Sequence, residues 1–177
     1  MAVQDIIQLG NPLLRERCLP VEDPSAPGVA GVITHLADTL AHCRAETGYG
    51  RGIAAPQIGV LRRIVFLKVD RPSVLINPSV TVHSSETMVV WDACLSFLCI
   101  FLQVPRYRWI IVRYQDVSGT WQEIRAEGDL SELLQHELDH LDGILALDRV
   151  TDLTTICTRA EFERRYRHES PYAQAVV

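Results

Sequence analysis

The sequence predicts an α+β fold, with short antiparallel sheets arranged around one late helix. Three observations predict it. Apolar residues recur at helical spacing over residues 27–45, β-branched and alternating runs fill residues 63–126, and a helix-compatible stretch from about Asp129 to Leu141 carries His136 and His140. A helix, then short strands, then a core helix is the order of an α+β domain. The 177 residues are expected to form one domain, 1–177, long enough to bury its own core.

Residues 5–24 read as an extended arm with turns, punctuated by Pro12, Pro20 and Pro24. Val29, Val32, Ile33, Leu36, Leu40 and Ala41 form the apolar face of an amphipathic helix from about Pro27 to Ala45, and Thr47 to Gly52 is a glycine-rich turn. Strands are expected over Arg63–Val69, Val74–Val82, Thr87–Val90, Trp109–Tyr114 and Trp121–Ala126, with turns at Arg71-Pro72, Asn77-Pro78 and Val117-Ser118-Gly119. The apolar run Phe97–Leu102 is read as part strand and part packed loop; if exposed, it marks a partner, dimer or apolar-substrate surface. After the histidine helix, which Gly143 is placed to end, a charged helix is expected over Thr158–His168, with fraying beyond it.

Composition narrows the function. A formal net charge of −5 argues against nucleic-acid binding driven by bulk electrostatics. There is no run of 18 apolar residues and no basic-then-apolar N-terminal segment, so neither a membrane span nor a secretory signal is expected. Cys18, Cys43, Cys94, Cys99 and Cys157 are odd in number and lack small-scaffold spacing, which favours reduced thiols and a cytoplasmic location. Cys94 has a motif around it; the other four are read as core fillers.

On a helix at about 100° per residue, His136 and His140 return to one face, where both imidazoles can reach a single divalent ion and Glu137 can reach a water on it. The plain alternative is two histidines on a solvated helix. A catalytic ion needs a third protein ligand; Cys94, in Trp91-Asp92-Ala93-Cys94-Leu95-Ser96, is available, and so is a glycine-framed run, Gly50-Arg51-Gly52-Ile53-Ala54-Ala55-Pro56-Gln57.

Taken in order, Gly-x-Gly-x-Ala-Ala-x-Gln at 50–57, Cys-Leu-Ser at 94–96 and Gln-His-Glu-x-Asp-His-Leu at 135–141 resemble the three signature motifs of the peptide deformylases. The opening Ile7-Gln8-Leu9-Gly10-Asn11-Pro12 through Arg15 is similar to that family's N-terminal segment, so the likeness spans roughly residues 5 to 150. It implies the family's α+β fold and a metal-dependent hydrolase releasing formate from N-formylmethionyl peptides. Cys94, His136 and His140 would hold the ion, Fe2+ in the cell, with Zn2+, Ni2+ or Co2+ also accepted by this donor set. Glu137 would be the general base; the Gln57 amide and the Leu95 backbone N–H would receive the oxyanion. Without the resemblance, Gln57 reads as an ordinary turn residue. Gly52 and the strand before Cys94 would pair with the substrate peptide as an added strand. Nascent chains at the ribosome are the implied partners, for a monomer or a homodimer.

The pattern is broken in two places. Asp92-Ala93 stands where the family has Glu-Gly before the cysteine, and Arg106 stands where the family has that carboxylate's basic partner, so an Asp92–Arg106 pair is expected, with the Ala93 methyl against the substrate backbone. Arg51, Asp129 and Glu132 replace apolar residues of the pocket for the first side chain. Asp129 and Glu132 have capping-box spacing and Arg51 is free to point to solvent; the alternative is a polar pocket that no longer prefers methionine. Alongside the deformylase reading stand a deformylase-like amidohydrolase with another substrate, a degenerate formyl-peptide or ribosome binder, and an unrelated zinc metallopeptidase, which leaves two motifs unexplained.

Overall fold

The computed structural model describes residues 2–70 and 72–169. Arg71 of the expected Arg71-Pro72 turn and the frayed end expected after 169 lie outside these residues. Among the described residues, the first helix, α1, spans Pro27–Thr47 and ends on Gly48 at φ +76°, a left-handed conformation that glycine adopts at little cost. Five strands follow in antiparallel pairs: β1 Gly52–Ala54, β2 Ile64–Lys68, β3 Pro72–His83, β4 Thr87–Asp92 and β5 Ile100–Tyr107. Next come β6 Trp109–Gln115, β7 Trp121–Glu127, the helix α2 Asp129–Leu141, the two-residue β8 Cys157–Thr158 and the helix α3 Arg159–Arg165.

The strands make a five-stranded sheet in the order β1-β2-β3-β6-β7 and a three-stranded sheet in the order β4-β5-β8. The large sheet lies between helices. Val65, Leu67, Leu75, Ile110 and Val112 pack with Leu134, Leu138 and Leu141 of α2, while Ile64, Phe66 and Ile76 pack with Leu36 and Leu40 of α1. Covering on both faces explains why β2 reads as an unbroken apolar run rather than an alternating one. Each such fully buried side chain contributes about 1.5–3 kcal/mol of transfer free energy. In α1 the stripe is rotated slightly from expectation: Ala41 is exposed, and Ala37 packs against the cluster instead.

Three further differences have local causes. Asn77-Pro78 is a bulge inside β3, with a register shift between Ile76 and Ser79 and Asn77 at φ +52°. A strand absorbs one extra residue this way. Here the Asn77 side chain accepts from Val21 N and donates to Val21 O and to Gln115 Oε1, each at 2.8 Å, tying the N-terminal arm to the sheet. The Phe97–Leu102 run is part packed turn and part strand, as expected: Phe97, Phe101 and Leu102 are buried, and the strand begun at Ile100 continues to Tyr107. Of the four cysteines expected as core fillers only Cys18 is buried; Cys43 and Cys157 are half-buried and Cys99 is exposed. The last helix is shorter than expected, starting after the Thr158 cap and ending at Arg165. Phe162 is fully buried, its ring stacked on Phe101 and edge-on to Trp91. No helix among the described residues is long and apolar enough to cross a membrane.

The N-terminal arm is held by the rest of the chain. Ile7 N donates to Gln57 O, Leu9 N to Ser96 O and Cys18 N to Leu141 O, at 2.8, 2.8 and 2.9 Å. Helix α2 ends beside it: Gly143 N donates to His140 O and Ile144 N to Asp139 O, a Schellman termination, with Gly143 at φ +72°. A Cβ at 143 would lie 2.4 Å from Arg15 O. Gly143→Ala should therefore destabilise the fold by about 2–4 kcal/mol, read as a lower denaturant midpoint at unchanged slope. Burial pushes the Cys18 thiol up to about 11, against the pull of Arg63, so in a timed alkylation followed by mass spectrometry Cys99 should label first and Cys18 only on unfolding.

Candidate active site

Helix α2 carries its histidines on the face turned away from solvent. His136, Glu137 and His140 are all buried, at 6%, 3% and 1% exposure. Cys94 is reached from the other sheet. It follows β4 and caps a short turn over Leu95–Phe97, where its Sγ accepts from Ser96 N at 3.4 Å. The three donors meet: Cys94 Sγ lies 3.2 Å from His140 Nε2, which lies 3.2 Å from His136 Nε2, and all three atoms fall within 4.8 Å of one another.

Asp92 orients this cluster. Its Oδ1 contacts His136 Nδ1 at 2.8 Å, which turns Nε2 of that ring toward Cys94. Its Oδ2 accepts from Arg106 Nη2 at 3.0 Å, and Arg106 Nη1 donates to Asp139 Oδ2 at 2.6 Å. Arg149 closes the chain from outside, donating through Nη2 to Asp139 Oδ1 at 2.7 Å. Asp139 and Arg149 were not singled out from the sequence, although Asp139 sits within the histidine motif; its position next to His140 is the signal that was there to use.

Burial and neighbouring charge push the two imidazoles in opposite directions. Burial alone would depress the His136 imidazole, but Asp92 and Cys94 outweigh it and hold that ring well above its ordinary value. His140, buried and facing His136, is held well below. Two imidazoles and a sulfur at this spacing fit a shared ion with bonds of about 2.0–2.3 Å. Burial pushes the Glu137 carboxyl up to about 7; His136 opposes that rise, while Asp92 and Glu132 add to it. A carboxyl near neutrality can both accept and return a proton. Glu137 Oε2 has no hydrogen-bond partner among the described residues.

Gln57 is fixed by its neighbours. Its Oε1 accepts from Ala54 N at 2.9 Å, so its Nε2 faces Ser96 Oγ at 3.2 Å and Cys94 Sγ at 3.5 Å. Gly52 lies directly under Glu137: a Cβ there would fall 2.5 Å from Glu137 Oε1. Gly52, Ala93, Leu95 and Glu137 line one cleft beside the cluster, together with Arg51 and Glu132. For the last two, the solvent-facing alternative that the sequence left open does not hold. Helix α2 is capped by Gly128 without any side-chain cap, so Asp129 and Glu132 make no capping box. Glu132, one turn before His136, faces inward at 1% exposure, and Arg51 turns toward it rather than to solvent, with Nη2 to Oε2 at 2.5 Å.

Similarity to known proteins agrees with this geometry. The family model described as polypeptide deformylase matches residues 3–155. The peptide deformylase of Roseiflexus castenholzii is 35% identical over 92% of this chain and 97% of its own length, and that of Desulfitobacterium hafniense is 38% identical over 84% and 95%. Among solved structures, peptide deformylase from Thermotoga maritima superposes with a TM-score of 0.79 at 34% identity, covering 85% of this chain and 99% of its own. A Met-Ala-Ser-bound peptide deformylase from Acinetobacter baumannii gives 0.78 at 26% identity, covering 85% and 100%. The motifs in order, the shared fold and these identities over nearly whole chains lead to one conclusion: this chain belongs to the polypeptide deformylase family.

Proposed function

We propose that this chain is a single-domain, metal-dependent hydrolase that removes the formyl group from N-formylated peptide termini, releasing formate and a free amine. The observation that carries the reading is the convergence of Cys94, His136 and His140 donor atoms within 4.8 Å, with buried Glu137 next to His136 on the same helix. A divalent cation would be held by those three atoms, Fe2+ in the cell and Zn2+, Ni2+ or Co2+ as substitutes, and would supply the Lewis acidity that brings the pKa of bound water to about 7.

The chain's own residues do the rest. Glu137 takes the proton of the attacking water, a C–O bond forms at the formyl carbon, and the same carboxyl passes the proton to the nitrogen as the C–N bond breaks. Its elevated pKa suits a group that must do both. The Gln57 Nε2–H and Leu95 N–H receive the charge that develops on the formyl oxygen. The Gln57 amide cannot turn its oxygen inward without losing the Ala54 N–H bond. Strands β1 and β4 are terminal in their sheets, and Gly52 and Ala93 beside them line the cleft, so a substrate backbone fits as an extended segment between the two edges. Nascent chains at the ribosome are the natural source of formylated termini, and the cytoplasm is the compartment that follows; either a monomer or a homodimer suits such a site.

The test uses protein prepared without oxygen and loaded with metal, with formate release followed on formyl peptides. Glu137→Ala should retain one metal per chain while turnover falls by about 10²–10⁴-fold; loss of the metal would contradict a base role for Glu137. Gln57→Ala should lower kcat by about 10²–10³-fold with KM nearly unchanged, the signature of a donor used in the transition state. An effect confined to KM would make Gln57 a substrate-binding residue only.

A further inference from the structure

The cleft beside the three donors is walled by an ion pair. Arg51 leaves the turn between Gly50 and Gly52, and its Nη2 meets Glu132 Oε2 at 2.5 Å, while Nη1 points to the carbonyl of Asp129 at 3.4 Å. The Glu132 side chain is 2% exposed and that of Arg51 is 14% exposed, so the pair is nearly withdrawn from bulk water, and both residues line the cleft. Glu132 shares its helix face with His136, one turn away, and Gly52 underlies Glu137; a group reacting at the donors therefore carries its first side chain toward this pair.

An apolar side chain placed there would strip water from two charges and return no hydrogen bond. An anionic side chain would meet Glu132 and Glu137, and a cationic one would displace or face Arg51. A neutral side chain with both an acceptor and a donor suits the pair: its oxygen accepts from the guanidinium and its hydrogen is given to the carboxylate.

We propose that Arg51 and Glu132 are specificity-determining residues, and that the cleft selects formylated amines whose first side chain is a neutral carboxamide or hydroxyl, in preference to methionine. The inference rests on the deformylase reading above and narrows its substrate. A pocket built to hydrogen-bond its ligand discriminates strongly against an analogue lacking those groups, whereas an apolar pocket separates methylene homologues by only about 10–200-fold.

The experiment compares kcat/KM of the metal-loaded enzyme for formyl-Gln-Ala-Ser, formyl-Thr-Ala-Ser, formyl-Met-Ala-Ser and formyl-norleucyl-Ala-Ser. The carboxamide and hydroxyl peptides should exceed the methionine and norleucine peptides by at least about tenfold. The double variant Arg51→Met, Glu132→Met removes both charges together, an exchange that buried ion pairs tolerate, and should reverse the order. Methionine preferred or equal in the wild-type enzyme overturns the inference and leaves the deformylase reading standing. Should no formyl peptide release formate, the reaction assignment fails, and calorimetric binding of the unformylated peptides decides the pocket by itself. Tighter binding of Gln-Ala-Ser than of Met-Ala-Ser supports the pair as the selector, and equal or reversed affinity overturns it.

Discussion

The arrangement depends on one run of charge, Arg149–Asp139–Arg106–Asp92, buried from Asp139 inward and ending on the His136 ring. Asp92 closes strand β4 of the small sheet, while His136 and Asp139 belong to the helix packed on the large one. A guanidinium between two carboxylates bridges these layers with directed bonds, where apolar contact alone would leave them free to slide. Burying such charges is costly, and removing one partner would leave another unpaired, so the run tolerates little change. Its return is positional: the sulfur after β4 and the rings of α2 are brought to one point.

Around it, each helix solves a separate packing problem. α1 and α2 cover opposite faces of the large sheet, and the aromatic group of Tyr49, Trp91, Phe101 and Phe162 fastens α3 to the small one. Tyr49 lines the cleft and its hydroxyl meets Glu163 at 3.1 Å, while Arg159 lies over its ring. The C-terminal helix, whose purpose the sequence leaves open, thus buttresses one wall of the site.

Elements with a clear period were legible in the sequence: α1, α2 and the runs that became β2, β3, β4, β6 and β7 all appear near their expected places. What escaped was set by partners distant in the chain. Ile53 and Ala54 form a strand only because β2 offers its edge, and Asn77 is spared a turn because the arm at Val21 occupies its side chain. In the candidate site, the motif residues were readable as chemistry, since sulfur, imidazole and carboxylate have few uses in that order. The inward turn of Arg51 and Glu132 was not, because cap spacing and solvent exposure satisfy the same local rules. Only the three-dimensional closeness of a turn at 51 and a helix at 132 decides between them.

The fastening of the N-terminal arm sets an order of events during synthesis. Residues 7–19 are made before all of their distant backbone partners, Gln57, Leu61, Arg63, Ser96 and Leu141, and the last of these follows more than 120 residues later. Contacts so remote in sequence close late, after the loops between them have been paid for in entropy. The stretch from Ile7 to Leu19 therefore completes its contacts only once the helix bearing the histidines has formed, whereas Ala2 and Gln4, bonded to Asp38 and Thr39 of α1, can dock without it.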